Sequence, residues 1–580
     1  MSTHWIVEGE VDPRWPLNTR GNIGEVFPEV LTQLTYYLLV RPAEAGWRQA
    51  FDEMGILHPD DFASEEPVII GCYGGYGYLD ISYLRIVGVR APGSSPEAID
   101  VSLFGEADTP PYEAVKGDKS LRNSLKMLRY VMKALGTKDE PPSIEDSRKR
   151  LARWQAAQPP LDADDDTLMR YLHSCSPDFQ LQFRNHMITT FTTSIITGVL
   201  ADGAVAAGRP ELLTDLTGAV GEVASAAYSV AMYEVAKLAK ASPEVGAAFD
   251  QGVSGLGARL AAMDEAAEFN TAFDGFIERY GHRGPNDWEI SSRTWENTPE
   301  LAYAAIDVMR KSDHDLDPAG RLTDVEAKRT AAAEIVRPHL NFLDKPNFDK
   351  AVKSIRHWVR GREATRDLCI AFSLPTRRVF FELARRAAER GGTSNLRDVA
   401  LLHPIDELPG YVADPAPYME TLAERVALRD RFAAVEPLFF ISSQDEVPGI
   451  EELEAAQAER DAARAADNGV AGEGATLTGV PGCAGTARGR ARVVMDPSDP
   501  AGMEPGDILV APLTDPAWTP LFLPASAVVV NVGALMSHAV IVSRELGIPC
   551  VVAVDGATDR IQDGAMIEVD GTAGTVTVVG

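Results

Sequence analysis

The hydrophobic rhythm of the chain changes twice, and each change predicts a change of architecture. Near the front, GYGYLDISYLRIVGV, from Gly75 to Val89, alternates as a half-buried strand does before Pro92 and Gly93 stop it, which predicts a small β element. From about Leu121 to Arg310 the apolar residues instead recur at three- and four-residue intervals. HMITTFTTSIITGVL, VGEVASAAYSVAMYEVAKLAK and EFNTAFDGFIERYG are therefore expected to be long helices. The same spacing continues through VEAKRTAAAEIVRPHL, FDKAVKSIRHWVRGREATRDLCIAF and TRRVFFELARRAAERGG, whose Gly391 and Gly392 supply a C-cap signal.

The second change falls at residues 451–475, EELEAAQAERDAARAADNGVAGEGA, where an Ala/Glu/Arg helix gives way to a polar stretch with little to bury. After it come short apolar runs separated by turns: RGRARVVM, GDILVA, SAVVVNV, PCVVAV, MIEVDG and GTVTVV. One helix, Ser537 to Leu546, lies between the third and fourth. The expectation is a multidomain chain. A largely α-helical domain with a small β element fills 1–460, a linker or hinge 461–476, and a compact α/β domain 477–580. About eight flexible residues span only roughly 15 Å, so any large excursion of the last domain requires rigid-body rotation.

Composition narrows the classes of function. The chain has 580 residues, 45% hydrophobic and 24% charged, as folded globular proteins do. A net charge of −30 opposes binding to nucleic acid. The opening MSTHWIVEGEVDPRW lacks the apolar core of a signal peptide and no run of about 18 apolar residues is evident, so no membrane association and a cytoplasmic location are expected. Cys72, Cys175, Cys369, Cys483 and Cys550 are widely separated, without C-x-x-C spacing, and no structural metal is expected.

The most informative segment is VVVNVGALMSHAVIVSRELGIPCVVAV, which reads as strand, Gly-containing turn, helix and strand, with Ser537 as N-cap and Gly547 as C-cap. His538 then occupies the first helical turn. Free backbone N–H groups and the positive end of the helix dipole converge there and favour an attached phosphoryl group. A neutral imidazole is a nucleophile near pH 7, and its phosphoramidate passes the phosphoryl onward.

Residues 476–580 resemble the swivelling phosphohistidine domain of the phosphoenolpyruvate-utilising enzyme superfamily, which includes phosphoenolpyruvate synthase, pyruvate phosphate dikinase and rifampin phosphotransferase. The stretches that carry the resemblance are GVPGCAGTARGRARVV, PGDILVAPLTDPAWTPLF, SHAVIVSRELGIPCVV and DGTAGTV. It implies that His538 is the phosphate carrier and Ser537 a phosphate ligand. Asn531 stands where the family commonly has an acid, and Ala534 replaces the second glycine of a Gly-Gly pair. Arg544 is expected to form a structural ion pair.

The front of the chain resembles the substrate-binding domain of rifampin phosphotransferase and its relatives, through NIGEVFPEVLTQLTY, GYGYLDIS, ERYGHRGPNDWEISSRTW, VRGREATRDLC and DVALLHPIDEL. In ERYGHRGPNDWE, His282 is a candidate base and Arg283 a candidate partner for the phosphoryl oxygens. Arg362 and Arg366 share a helical face and are a candidate phosphate clamp, with Glu363 able to pair locally. Tyr76 and Tyr78 offer aromatic surface for a flat acceptor. The acids of PPLDADDDTL, Asp162 and Asp164 to Asp166, read as a helix start rather than a Mg²⁺ site.

The family makes phosphohistidine with an ATP-grasp domain or a phosphoenolpyruvate-binding barrel, and the sequence contains no signature of either. The resemblance therefore implies a two-component, dikinase-type kinase. A separate ATP-grasp subunit, holding ATP and Mg²⁺, would load His538, with no cofactor bound tightly here. The acceptor would be a small hydroxyl compound, with a phenol or cresol favoured, as in the phenol-phosphorylating synthases. The alternatives are a rifampin-type antibiotic phosphotransferase component and a non-catalytic ligand-binding or regulatory homologue.

Overall fold

The computed structural model describes residues 9–62, 64–91, 95–97, 99–100, 109–217, 224–311, 325–466, 470–497, 502–514, 518–533 and 537–579. Pro92, Gly93 and Ala534 lie outside these.

The small β element is a four-stranded sheet in the order β2-β3-β1-β4, formed by β1 (Asn18–Thr19), β2 (Ile70–Tyr73), β3 (Tyr76–Asp80) and β4 (Phe440–Ile441). Strands β2 and β3 make a hairpin whose turn residues Gly74 and Gly75 have φ of 54° and 75°, the left-handed backbone that glycine adopts without penalty. Strand character ends at Asp80, short of the Val89 expected from alternation. The Asp80 carboxylate accepts from the backbone N–H groups of Ser82 (2.8 Å) and Tyr83 (3.3 Å), and helix α3 (Ile81–Arg90) begins there. Helix α1 (Ile23–Val26) precedes Phe27, which packs on Gly77, and Arg20 ties Gly77 O (2.6 Å) to Phe27 O (3.0 Å).

The helical bundle is organised by α2 (Arg41–Met54), α4 (Cys175–Ala206) and α7 (Lys345–Glu389). Helix α7 is one continuous 45-residue helix that accommodates Pro375 in its interior. Helix α4 lies between α2 and α7. The run 165–206 is long and apolar enough, by length and composition alone, to span a membrane, contrary to the expectation that no such run exists. Its Gln182, Asn185, His186 and Thr189 are buried among protein neighbours, and Thr189 Oγ1 meets Thr365 Oγ1 of α7 at 2.8 Å. A second core joins α5 (Ala224–Ala241), α6 (Ala267–Tyr280) and the helix Glu300–Lys311 around Tyr228, Phe276 and Trp295.

Helix α8 (Ile450–Ala466) extends through residues 461–466, the first part of the expected linker. The α/β domain that follows is an eight-stranded mixed sheet, ordered β5-β12-β11-β7-β8-β9-β10-β6. Its strands are β5 (Thr476–Thr478), β6 (Val480–Cys483), β7 (Thr486–Val493), β8 (Ile508–Ala511), β9 (Ala527–Val530), β10 (Cys550–Val552), β11 (Met566–Asp570) and β12 (Thr575–Val578). Strands β7 to β10 are parallel neighbours, and the flanking strands run antiparallel to them. Helices α9 (Thr519–Phe522) and α10 (His538–Leu546) follow β8 and β9. Thr514 and His538 thus lie beyond the carboxyl ends of adjacent parallel strands, where open α/β sheets place ligands.

Helices α2 and α4 approach closely at Gly46, where a Cβ would come within 2.2 Å of Gln180 O in α4. Gly46→Ala is expected to force the helices apart and cost about 1–3 kcal/mol. A lowered urea midpoint with an unchanged m-value would register this.

Candidate functional site

His538 is 7% exposed, because the α/β domain is docked on the helical domain with this side chain at the seam. Its Nδ1 meets Thr514 Oγ1 and its Nε2 meets Thr519 Oγ1, each at 3.1 Å, and the Phe522 ring stands edge-on at 5.8 Å. The helical domain supplies the rest of the surroundings. Tyr228 of α5 meets Thr519 Oγ1 at 2.6 Å, and Glu25 of α1 accepts a 3.2 Å hydrogen bond from the His538 backbone N–H. Ser537 sits at the N-cap position, but its hydroxyl makes no capping bond and has no partner among the described residues. It packs against Gly533, where a Cβ would come within 3.2 Å of Oγ.

Burial, and then the charges of Arg366 and Arg283, push the His538 imidazole well below its usual pKa, so it is neutral near pH 7. Arg283 pairs with Asp287 (3.0 Å) and Asp367 (3.4 Å) and lies over the Tyr228 ring, 5.1 Å from its centroid. Arg377, buried in α7, holds the Arg283 loop by donating to the carbonyls of His282 (3.1 Å), Asp287 and Glu289 (3.0 Å). His282 Nε2 lies 3.0 Å from Asp367 Oδ1. Burial alone would raise the Asp367 pKa, but His282, Arg283 and Arg366 outweigh it and hold the carboxyl ionised. Nε2 of His282 must therefore be the donor, and Nδ1 is the nitrogen that this contact leaves over.

Arg362 is committed to its neighbour Glu363 at 2.7 Å. Arg366, half-buried, makes no hydrogen bond or close ion pair to a described residue, yet its charge acts on His538, Asp367, Glu363 and His186. His186 of α4 is 8% exposed and meets Thr365 Oγ1 at 3.2 Å through Nδ1. Burial, followed by the Arg366 charge, lowers its pKa to about 3. Beside it stand Phe183 (5.8 Å) and Trp288 (6.5 Å). In this aromatic cluster both amide atoms of Gln182 and the indole Nε1 of Trp288 are buried without a partner among the described residues.

Residues 184–363 match the rifampicin phosphotransferase fourth domain, and residues 503–574 match the mobile domain of PEP-utilising enzymes. The chain resembles rifampicin phosphotransferase, within the phosphoenolpyruvate-utilising enzyme superfamily. An uncharacterized Mycobacterium tuberculosis protein is 27% identical over 98% of this chain and 62% of its own length. This chain therefore spans less than two thirds of that relative. A Streptomyces rifampicin phosphotransferase is 30% identical over 60% of this chain and 39% of its own. The Bacillus cereus enzyme of that name is 47% identical over 103 residues, 18% of this chain and 12% of its own.

Of the residues singled out in the sequence, His538, Ser537, Arg283, His282 and Arg366 share this seam or its charge network. Arg362 pairs with Glu363 and acts on His186 through its charge and backbone. Tyr76 and Tyr78 are core residues whose hydroxyls donate to Phe432 O and Leu438 O, each at 2.8 Å, and they support the hairpin on which α1 and Glu25 rest. Arg544 donates to Gly482 O at 2.9 Å and ties α10 to β6. Asn531 bonds Thr558 through both ends of its amide, at 2.7 and 3.0 Å, donating to the hydroxyl and accepting from the backbone N–H. Asp164 caps the helix Asp165–His173 and Asp165 pairs with Arg386 and Arg390, as a helix start requires. Glu25, Tyr228, Asp367, His186, Gln182, Thr514 and Thr519 were not singled out, although all but Gln182 fell, like Trp288, inside segments already quoted.

A histidine whose folded pKa is depressed binds fewer protons folded than unfolded, so its contribution to stability is present above about pH 6.5 and lost as pH falls. For His186 the window runs from about 6.5 down to about 3. Stability is expected to fall between pH 7 and pH 5 with a contribution of up to about 1.4 kcal/mol per pH unit from each such group. His186→Gln should flatten that slope in urea titrations at pH 7, 6 and 5.

Proposed function

We propose that this chain is the carrier and acceptor half of a phosphohistidine-dependent phosphotransferase. His538 takes a phosphoryl from a separate ATP-grasp subunit, where ATP and Mg²⁺ act, and delivers it to a small hydroxyl compound held by residues 1–460. The observation that carries this reading is the burial of His538 at the domain seam between two threonine hydroxyls, where the charges of Arg283 and Arg366 act on it and keep the imidazole neutral. Neutrality is required of the nucleophile, and the two cations suit the oxygens of a phosphoryl in a loose transition state. The Ser537 hydroxyl offers a further donor.

In the transfer step the bond between phosphorus and the His538 nitrogen breaks and its electron pair stays on the ring. A bond forms from phosphorus to the acceptor oxygen, and the hydroxyl proton passes to Nδ1 of His282, which Asp367 orients. The acceptor is assigned to the cluster of Phe183, His186 and Trp288. Its orphaned Gln182 and Trp288 polar atoms each cost about 1–3 kcal/mol until a ligand or water satisfies them. That cluster suits a flat aromatic compound with one polar group, which favours a phenol or cresol over the Tyr76 and Tyr78 surface first considered. The cycle is assigned to the cytoplasm, with rigid-body rotation of the α/β domain about the segment after α8. A rifampicin-type antibiotic phosphotransferase component is the second reading, favoured by the 30% identity to the Streptomyces protein of that name.

The test mixes the full chain with a candidate ATP-grasp protein and β- or γ-labelled ATP. Acid-labile label is expected on the parent and not on His538→Ala, and equal labelling of both sinks the proposal. Arg366→Met is expected to slow transfer from the loaded chain by about 10²–10³-fold, the scale of losing one preorganised charge-stabilising group. Phenol, cresol and rifampicin offered in parallel to the loaded chain separate the two acceptor readings.

A further inference from the structure

The contacts of Thr519 link the reactive imidazole to a residue of the other domain. Tyr228, fully buried in α5, meets Thr519 Oγ1 at 2.6 Å, and Thr519 Oγ1 meets His538 Nε2 at 3.1 Å. On the far side of the ring, Nδ1 meets Thr514 Oγ1 at 3.1 Å. Both threonines travel with His538, but Tyr228 belongs to the helical domain. We propose that Tyr228 is a positioning residue that acts through Thr519 to set the tautomer of His538 whenever the two domains dock. This inference rests on the phosphotransfer reading above and deepens it.

The direction of the chain follows from donor strength. A phenol is a stronger acid, hence a better donor, than an aliphatic hydroxyl, and burial pushes the Tyr228 phenol further up, so it keeps its proton. Tyr228 donates to Thr519, the Thr519 hydroxyl donates to Nε2, and Nε2 therefore carries the lone pair. The ring proton sits on Nδ1 and is donated to Thr514. The Nε2–P bond breaks as the acceptor oxygen takes the phosphorus and the acceptor proton goes to His282, and once the phosphoryl has left, the electron pair freed on Nε2 accepts the Thr519 hydroxyl. When the domain leaves, Tyr228 stays behind and Thr519 loses the donor that orients its hydroxyl. Docking on the helical domain thereby prepares the imidazole as a leaving group for this transfer and for no other encounter.

The experiment uses the full chain with ¹⁵N-labelled histidine, the His538 resonances being identified by their loss in His538→Gln. The parent should show the Nδ1–H tautomer. Tyr228→Phe, which keeps the ring and removes only the hydroxyl, should give a mixture of tautomers, as should Thr519→Val, while Thr519→Ser restores the parent pattern. A parent in the Nε2–H form, or a Tyr228→Phe spectrum identical to the parent, overturns the proposal. A second measurement loads the chain chemically with phosphoramidate and chases it with phenol, followed by ³¹P NMR. In Tyr228→Phe the ratio of transfer rate to loading rate should fall about tenfold, the scale of one hydrogen bond. A parent chain that takes no phosphoryl from phosphoramidate defeats the phosphotransfer reading, whereas the tautomer spectra decide the role of Tyr228 independently.

Discussion

The structure around the domain seam is governed by one electrostatic condition, an imidazole buried with two arginine charges acting on it. Desolvation and the like charge of Arg366 and Arg283 both oppose protonation of His538, so they act in the same direction. Carboxylates and carbonyls compensate most of the buried and half-buried arginines there. Arg283 has Asp287 and Asp367, Arg362 has Glu363, and Arg377 clamps the backbone of the loop that carries His282 and Arg283. Arg366 is the exception. Without a close partner among the described residues, it can turn toward a new anion without first giving up an ion pair.

The charge of the whole chain bears on how such an anion arrives. A net charge of −30 repels free phosphate and nucleotides at long range, whereas the site is locally rich in arginine. A phosphoryl covalently attached to His538 avoids that repulsion, since it is carried in by the docking of a domain. On the proposed function, the acidic surface and the arginine seam are therefore compatible: the first disfavours adventitious anions and the second receives the delivered one.

Much of the architecture was legible in the sequence because the signals were local. The strand, turn, helix and strand around His538 are set by β-branched runs, Gly533 and the Gly547 C-cap, and each lies within a few residues of what it determines. The helical spacing of the bundle was equally local. Alternation misled beyond Asp80, because α3 is buried on nearly every face and so shows no amphipathic period, and the cap that starts it depends on one carboxylate. Strands β1 and β4 are two residues each and pair across more than 400 residues of chain, below any pattern a window can detect. The site was half legible for the same reason. His538, Arg283 and His282 carry recognisable chemistry in their motifs, whereas Glu25, Tyr228 and Asp367 lie in quoted segments but gain their roles only through tertiary packing. Tyr76 and Tyr78 lay in the right neighbourhood with the wrong role, since an aromatic residue that packs and one that binds look alike in sequence.

The character of the seam fits a contact that forms and dissolves. Its specific contacts are hydroxyl and charge contacts: Tyr228 with Thr519, Glu25 with the His538 backbone, and an exposed Arg293–Asp496 pair at 3.3 Å. Leu523 adds an apolar contact by joining the core around Tyr228. Polar contacts of this kind exchange with water at a net cost of about 1 kcal/mol each, whereas a fully apolar interface would hold the domain in place through every Å² it buried. On the proposed function, such contacts specify the docked geometry closely while leaving each bond replaceable by water. The same contacts place a carboxylate, Glu25, on the backbone N–H at the start of α10, which is where the oxygens of a phosphoryl on His538 would also find a donor. One N–H cannot serve both anions fully, so on the proposed function docking is balanced differently before and after the phosphoryl has left.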